Sequence, residues 1–324
     1  MKTISAHVLN QMIISKRALY ALLVSVLFSL LAGFRVFGMS RDYWGYQFLF
    51  ESVADGDIDS RLEPAFIFIT KLFGSFFPND FPLFMGMCAF FGLFWKLRLL
   101  TLQRYYLLPF LIYFLILLPL HEMTQIRIAM ASGFAYWGIY LSIEGKKLSG
   151  FLWLVLGALF QYSVLVLLPF VIMPERVFKY PKPLLVLVFG VAPSIILWSF
   201  VDSMDFLNPL INNYMAVADE NAVNPFSSRN LILICITITG FACFSRLNYK
   251  IRPWFLISVM GLGLFYGMMR MPVFAQRLLE LTMFSYLIWI PFLPKKPRIA
   301  AWSLFILLSC YMFYRMIYLD PLFI

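Results

Sequence analysis

Long apolar runs separated by short polar segments recur along almost the whole chain. Nine of these runs approach the roughly 20 residues that an α-helix needs to cross a hydrocarbon core: 18–38, 81–96, 105–120, 128–143, 184–201, 230–245, 254–270, 278–294 and 299–317. Two further apolar stretches, 63–78 and 148–173, have lengths that fit a single crossing poorly. The pattern predicts an all-α, polytopic integral membrane protein with about ten or eleven membrane segments, in a single transmembrane domain over 1–324.

The composition supports this prediction. Of the 324 residues, 62% are hydrophobic and 13% are charged, against about 45–50% and about 25% in typical soluble domains. These values exclude disordered, collagen-like, coiled-coil and disulfide-scaffold proteins. The four cysteines include no CxxC pair, so we expect no metal site built from thiolates. The first apolar run follows Lys16 and Arg17 without a small-residue cleavage site after it, and we interpret it as an anchor.

Basic residues gather in six short polar segments, which hold 17 of the 26 Lys and Arg residues. By the positive-inside rule all six should be cytoplasmic. The basic balance of the chain is therefore a signal of topology, and we expect no nucleic-acid partner. The segments contain Lys2, Lys16 and Arg17; Lys96, Arg98 and Arg104; Lys146 and Lys147; Arg176, Lys179 and Lys182; Arg246, Lys250 and Arg252; and Lys295, Lys296 and Arg298.

All six segments can lie on one side only if 63–95 makes one net crossing and 148–173 makes none. We therefore expect 63–77 to lie in the outer face or to re-enter from it. We also expect 148–173 to be a pair of half-helices broken near Gln161 and the two residues that follow it. A broken helix is tolerated only inside protein or beside a water-filled cavity. The alternative is that one weak basic segment, such as Lys146 and Lys147, lies outside.

This topology leaves two long loops on the outer side, 39–63 and 202–229. The first loop is acidic and rich in aromatic residues, which would serve equally well as a platform for sugar rings or as an interfacial belt. Asp57 and Asp59 form an Asp-x-Asp sequence that superficially matches a metal-binding motif of glycosyltransferases. Because nucleotide sugars are absent from that face, we favour a solvated acidic turn and expect no metal.

Three arginines lie where the membrane makes charge expensive: Arg127, Arg270 and Arg277. A guanidinium group stays charged and presents a planar fork of donors, so three of them around one cavity would suit a pyrophosphate. Ion pairs of Arg127 with Glu122, and of Arg277 with Glu280, are the structural alternative.

Two further residues have a chemical and a structural interpretation. His121 is the histidine nearest to the outer face, and it could accept a proton near neutral pH or could simply be structural. Glu63 precedes Pro64 at the predicted start of a helix, where a carboxylate favoured by the helix dipole would explain it without any catalytic role.

In order along the chain, these pieces resemble the EpsG/Wzy-type family of bacterial polysaccharide polymerases. The resemblance covers roughly residues 40–280, and it rests on short motifs in a consistent order. Two positions depart from the family pattern, because Gln161 replaces a histidine and Ile128 replaces a polar residue. The matching motifs are Arg41-Asp42-Tyr43-Trp44-Gly45-Tyr46, Glu63-Pro64-Ala65-Phe66, Gln125-Ile126-Arg127-Ile128-Ala129, Phe160-Gln161-Tyr162-Ser163 and Arg277.

The resemblance implies transfer of a growing chain from undecaprenyl pyrophosphate to the non-reducing end of a lipid-linked repeat unit. The reaction would take place on the periplasmic face of the inner membrane, among membrane lipids, with a chain-length regulator as a further partner and with no metal or cofactor. Pyrophosphate is already a good leaving group, so arginines and one base would suffice. The implied catalytic residues are Arg127 and Arg277, together with Asp42, Glu63 and His121, which are the three candidates for the base and among which the sequence does not choose. The implied substrate-binding residues are Arg41, Tyr46, Gln125, Gln161 and Arg270.

Two other functions compete with this interpretation. A flippase for lipid-linked oligosaccharide would also need arginines and a cavity, but it should show internal repeats and charges along the whole path across the membrane. We find no such repeat in the sequence. A membrane acyltransferase is normally built around a histidine, and His121 alone keeps this option open.

Overall fold

The regular secondary structure of the described part of the chain is helical. The computed structural model describes residues 2–34, 40, 42–54, 63–180, 182–203, 223–319 and 321–322. All helices and turns in these ranges fit the predicted all-α membrane fold. Among the described residues, four segments are long and apolar enough to cross a bilayer, and six shorter apolar helices accompany them. The four are Lys16–Gly33, Phe81–Thr101, Pro272–Phe292 and Lys295–Leu319. The total of ten or eleven membrane segments stays a prediction.

The chain forms two compact units. Unit 1 comprises Met1–Ile172 and Phe313–Ile324, and unit 2 comprises Met173–Met312. That the two act as one domain stays a prediction. Unit 1 contains α1 (Lys2–Gly33), α2 (Tyr43–Ala54), α3 (Pro64–Phe76), α4 (Phe81–Thr101), α5 (Leu107–Ile112), α6 (Ile126–Ile143), α7 (Lys147–Ala158) and α8 (Leu168–Ile172). Unit 2 contains α9 (Lys182–Ser203), α10 (Ser228–Ala242), α11 (Arg252–Gly267), α12 (Pro272–Trp289) and most of α13 (Lys295–Tyr314).

Helix α4 packs against α6 through small residues. A Cβ atom added to Gly92 would lie 2.9 Å from the Ala129 backbone, and one added to Gly133 would lie 2.8 Å from the Gly92 carbonyl oxygen. Such close approach of backbones is typical of helix pairs in membranes. The ring pairs Phe91–Phe134 and Trp95–Trp137 advance together along both helices, so α4 and α6 run parallel. This register places the start of α6 beside the first turns of α4.

Helix α5 continues as a π-helix, Tyr113–Glu122, which contains Pro119. The two parts comprise 6 α-helical and 10 π-helical residues. Just after it, Met123 packs with Ala32 and Ala89 in a buried cluster. The predicted segment 105–120 is therefore helical, and it ends beside α1 and α4.

The stretch 148–173 is broken as the sequence predicts. Helix α7 ends at Ala158, Gln161 has an extended backbone, and a 3-10 helix, Tyr162–Leu167, leads into α8. The Lys147 Nζ at the start of α7 donates to the Val171 carbonyl oxygen at the end of α8, at 2.9 Å. Because the two ends of the stretch lie side by side, it forms a hairpin of half-helices without a net crossing.

The predicted outer loops contain more helix than expected. Helix α2 occupies the middle of 39–63, with Tyr43 and Phe50 buried and Trp44 and Phe48 exposed on its opposite face. Helix α9 extends to Ser203. Positions 55–62 and 204–222 lie outside the described residues, as does Arg41.

In unit 2, α9 packs closely against α11. The Ser194 hydroxyl donates to the Gly263 carbonyl oxygen at 2.9 Å, and the Trp198 indole Nε1 donates to the Gly267 carbonyl oxygen at 2.8 Å. A Cβ atom added to Gly263 would collide with the Gly190 carbonyl. These contacts hold the end of α11 and the turn after it beside Trp198.

Candidate functional site

Three motifs that are far apart in the sequence meet in unit 1. Arg127, in the first turn of α6, donates from Nη1 to the Glu63 carboxylate at 2.7 Å. Its guanidinium also hydrogen-bonds with Tyr46 of α2 and lies 5.9 Å from the centre of the Phe66 ring in α3. Helices α2, α3 and α6 therefore each contribute to one arrangement, which we name the Arg127 site: Tyr46, Glu63, Phe66 and Arg127.

Local structure explains why Glu63 is available for this pair. Glu63 is the N-cap residue of α3, with Pro64 at the first helical position, yet its carboxylate makes no capping hydrogen bond. The carboxylate binds Arg127 instead. The sequence left open an ion pair of Arg127 with Glu122, but in the structure Arg127 pairs with Glu63 and Glu122 pairs with Lys96. The Glu63 side chain is 5% exposed and that of Arg127 is 26% exposed. Glu63 thus anchors an arginine side chain that remains partly exposed.

The Arg127 guanidinium keeps donor capacity. Its Nε is buried and has no hydrogen-bond partner within the described part of the chain. An arginine offers five N–H donors in a fixed fork, and the Glu63 carboxylate, Tyr46 and the Phe66 ring do not occupy all of them. An anion could therefore accept a further hydrogen bond from this guanidinium without displacing Glu63.

The break between α7 and α8 lies beside this site. The Ala65 amide, one of the helix-start amides that has no partner within its own helix, donates to the Leu159 carbonyl oxygen at 3.0 Å. The Phe160 ring contacts the Phe134 ring of α6, at 5.6 Å between centres. Gln161 follows at once and is half-buried. This backbone hydrogen bond thus brings the motif that contains Gln161 next to the motif that contains Glu63.

Two other predicted residues flank the same elements. Gln125 is the N-cap residue of α6, two positions before Arg127. Asp42 is exposed, and its carbonyl oxygen accepts from the Tyr46 amide at 3.0 Å, so it lies one turn before Tyr46. Of the predicted site residues that the structure describes, seven therefore belong to unit 1: Asp42, Tyr46, Glu63, His121, Gln125, Arg127 and Gln161.

His121 lies in a second polar cluster that is enclosed. It is 1% exposed, and its Nε2 has no hydrogen-bond partner among the residues that the structure describes. Beside it, the Lys96 ammonium donates to Glu122 at 2.6 Å, and the Tyr113 hydroxyl donates to the same carboxylate oxygen. The Lys96 Nζ also lies 5.8 Å from the centre of the Tyr113 ring.

This cluster corrects one interpretation of the sequence. Lys96 does not belong to an exposed cytoplasmic segment, because it is buried and paired with Glu122. Hydropathy alone misses the pair, since Lys96 stands near the end of one apolar run and Glu122 at the end of another. The pair could have been suspected from the sequence, because an acid and a base within apolar runs each need a partner of opposite charge.

Unit 2 holds the other two predicted arginines. Arg277 and Arg270 are both exposed, and the Arg270 guanidinium lies 5.9 Å from the centre of the Trp198 ring. Glu280 accepts hydrogen bonds from Arg229 at 3.3 Å and from Gln276 at 2.8 Å. Arg229 is buried at the start of α10 and was missed in the sequence, where it directly precedes an apolar run. The convergence of Arg127 and Arg277 on one ligand stays a prediction.

Metal ligands do not cluster in the described residues, which contain no group of three or more His, Cys, Asp or Glu side chains that could hold a metal ion. Asp57 and Asp59 lie outside the ranges described.

Comparison with known proteins identifies the family. A family model described as the EpsG family matches residues 18–323. No curated protein and no solved structure matches the chain. The matched region contains every predicted site residue and nearly the whole chain. The chain belongs to the EpsG family.

Proposed function

We propose that this membrane protein polymerises an O-antigen or exopolysaccharide on the periplasmic face of the bacterial inner membrane. It would transfer a growing oligosaccharide from undecaprenyl pyrophosphate to the non-reducing end of a lipid-linked repeat unit. Membership of the EpsG family supports a function of the polysaccharide-polymerase type, with the character of a glycosyltransferase. The lipid diphosphate, the face of the membrane and the direction of transfer are our proposal.

The observation that carries the proposal is the anchored guanidinium of Arg127, on a side chain that is partly exposed. A buried carboxylate fixes one edge of it, and the Phe66 ring packs near it. A guanidinium that is oriented before the reaction can stabilise charge as it develops, without having to reorganise. The charge in this reaction develops on the departing pyrophosphate, for which a planar fork of donors is well suited.

The reaction balances without a metal ion. The bond between the anomeric carbon and the pyrophosphate oxygen breaks, and the same carbon forms a bond to an acceptor hydroxyl oxygen. The electron pair of the broken bond leaves with undecaprenyl pyrophosphate, while the hydroxyl proton passes to a base. Pyrophosphate needs no proton to depart, unlike the alkoxide that leaves in glycoside hydrolysis.

The geometry favours different roles for the three candidate bases. Glu63 is bound to Arg127, so we assign it to positioning the guanidinium. His121 is buried beside Lys96, and this burial separates its imidazole from solvent. Asp42 is exposed and lies one turn from Tyr46, which contacts Arg127. We therefore assign the base to Asp42, and the binding of sugar hydroxyls to Gln125 and Gln161.

The test uses the purified full-length protein in detergent with lipid-linked repeat units, and it resolves the products on a gel. Wild type should make ladders of polymer, Arg127→Gln should make none, and Arg127→Lys should retain little because it keeps charge but loses the fork. Arg104→Gln, which changes an exposed arginine of the same unit, is the matched control and should polymerise normally. Normal ladders from Arg127→Gln would refute the assignment.

The same assay separates the proposal from a flippase. A detergent solution has no membrane that separates two compartments, so the activity of a flippase cannot be observed in it. Ladders of polymer can therefore arise only from a transferase. Wild-type protein that makes no ladders in detergent, but moves lipid-linked repeats across a reconstituted vesicle membrane, would establish the flippase instead.

A further inference from the structure

A hollow in unit 2 lies between the end of α9 and the turn after α11. Its lining consists of Trp198, Tyr266, Gly267, Met269 and Arg270, and its volume is about 470 Å³. This volume falls within the range of about 300–1,000 Å³ that is typical of small-molecule sites.

The two aromatic rings of this hollow are fixed by the protein. Trp198 Nε1 donates to the Gly267 carbonyl oxygen, and the Tyr266 hydroxyl donates to the Pro225 carbonyl oxygen, both at 2.8 Å. Aromatic residues of an interfacial belt direct their polar groups toward the aqueous side of the bilayer. Here both polar groups are satisfied by backbone carbonyls, so the rings are held as rigid walls of the hollow.

Arg270 supplies the charge in this hollow. Its side chain is exposed, and its guanidinium lies 5.9 Å from the centre of the Trp198 ring. Among the described residues that line the hollow there is no Asp or Glu. A ligand that combines an apolar ring face with an anionic group would therefore meet a complementary surface, since aromatic rings stack on the C–H faces of sugars and guanidinium binds carboxylate or phosphate.

We propose that this hollow is a saccharide subsite that binds a sugar ring carrying an anionic group. The inference rests on the proposed function, because the sugar would belong to the lipid-linked oligosaccharide. Two sources supply the same chemistry: a uronic acid within the repeat unit, or the sugar phosphate at the lipid end. Trp198 and Tyr266 hold the ring, and Arg270 holds the anion.

The test measures direct binding by saturation-transfer NMR to the intact protein in detergent. The probes are galacturonate, glucose 1-phosphate and neutral glucose. At least one of the two anionic sugars should bind about tenfold more tightly than glucose, because a charge-assisted hydrogen bond is worth about that factor. Preference for galacturonate identifies the uronic acid as the source, and preference for glucose 1-phosphate identifies the sugar phosphate.

Four variants distinguish the contributions. Arg270→Gln should abolish the preference for the anionic sugar, whereas Arg246→Gln, at another exposed arginine of unit 2, should preserve it. Trp198→Leu should weaken all three probes, whereas Trp198→Phe should retain binding, since it keeps a ring but loses the bond to Gly267. Elution as a single monodisperse peak from a sizing column establishes that each variant is folded.

The outcomes separate this inference from the proposed function. Equal binding of all probes by wild type, or unchanged binding by folded Trp198→Leu and Arg270→Gln, would overturn the subsite. Polymerisation that survives Arg127→Gln would instead remove the proposed role of the Arg127 site, and it would leave the measured binding at the hollow standing.

Discussion

The buried pair of Lys96 and Glu122 gives a sharp test of the packing in unit 1. Lys96→Met removes the ammonium and leaves an unbranched side chain that fills similar space. The Glu122 carboxylate would then stay buried, with the Tyr113 hydroxyl as its remaining donor among the described residues. Glu122→Gln creates the opposite defect, because it leaves the Lys96 ammonium buried without a counter-charge.

The magnitude follows from burial. The two side chains are 1% and 0% exposed and 2.6 Å apart, so solvent screens neither charge. Removing one partner of such a pair costs about 3–5 kcal/mol, because it strands the other charge. We expect each single variant to lose that much free energy of unfolding. The double variant Lys96→Met with Glu122→Gln strands no charge, and it should lie within about 1–2 kcal/mol of wild type.

The assay is denaturant unfolding of the purified protein in detergent, followed by circular dichroism. Lys71→Met, at an exposed lysine of α3, is the matched control and should change the free energy of unfolding by no more than about 0.5 kcal/mol. If Lys96→Met were as stable as Lys71→Met, the pair would not be buried as described. If the double variant lost the sum of the two single losses, the argument from stranded charge would be refuted.

Three further predictions follow from the fold and the site. Cysteines introduced at Leu148 and Ile172 in a cysteine-free background should react with an impermeant maleimide from the same side of the membrane, because the two ends of the broken stretch lie together; reaction from opposite sides would disprove the hairpin. Gly92→Val should destabilise unit 1 by about 2 kcal/mol or more through overpacking against Ala129, whereas Gly45→Val, which meets nothing within 4 Å, should cost about 1 kcal/mol or less in unfolding experiments. Gly145→Ala, at a backbone φ of 85°, should cost about 1–2 kcal/mol from left-handed strain, and a stabilised variant would contradict it.

Much of this architecture could be predicted from the sequence because hydropathy is a local property. Apolar runs mark membrane helices wherever they occur, since an unsatisfied backbone in lipid is too costly for other structures. The break near Gln161 followed from length and charge parity alone, and the structure confirms it. The motifs around Glu63 and Arg127 likewise sufficed to indicate the family, which the match over residues 18–323 confirms.

Which charges meet could not be predicted, because pairing depends on how helices pack. Arg127 pairs with Glu63, which is 64 positions away in the sequence. Glu122, only five positions from Arg127, pairs with Lys96. This pairing is determined by the parallel register of α4 and α6 and by the π-helix, which ends beside α1 and α4. The local hydropathy pattern specifies the position of each residue within its own membrane helix. Only the packing of neighbouring helices determines which side chain that residue contacts.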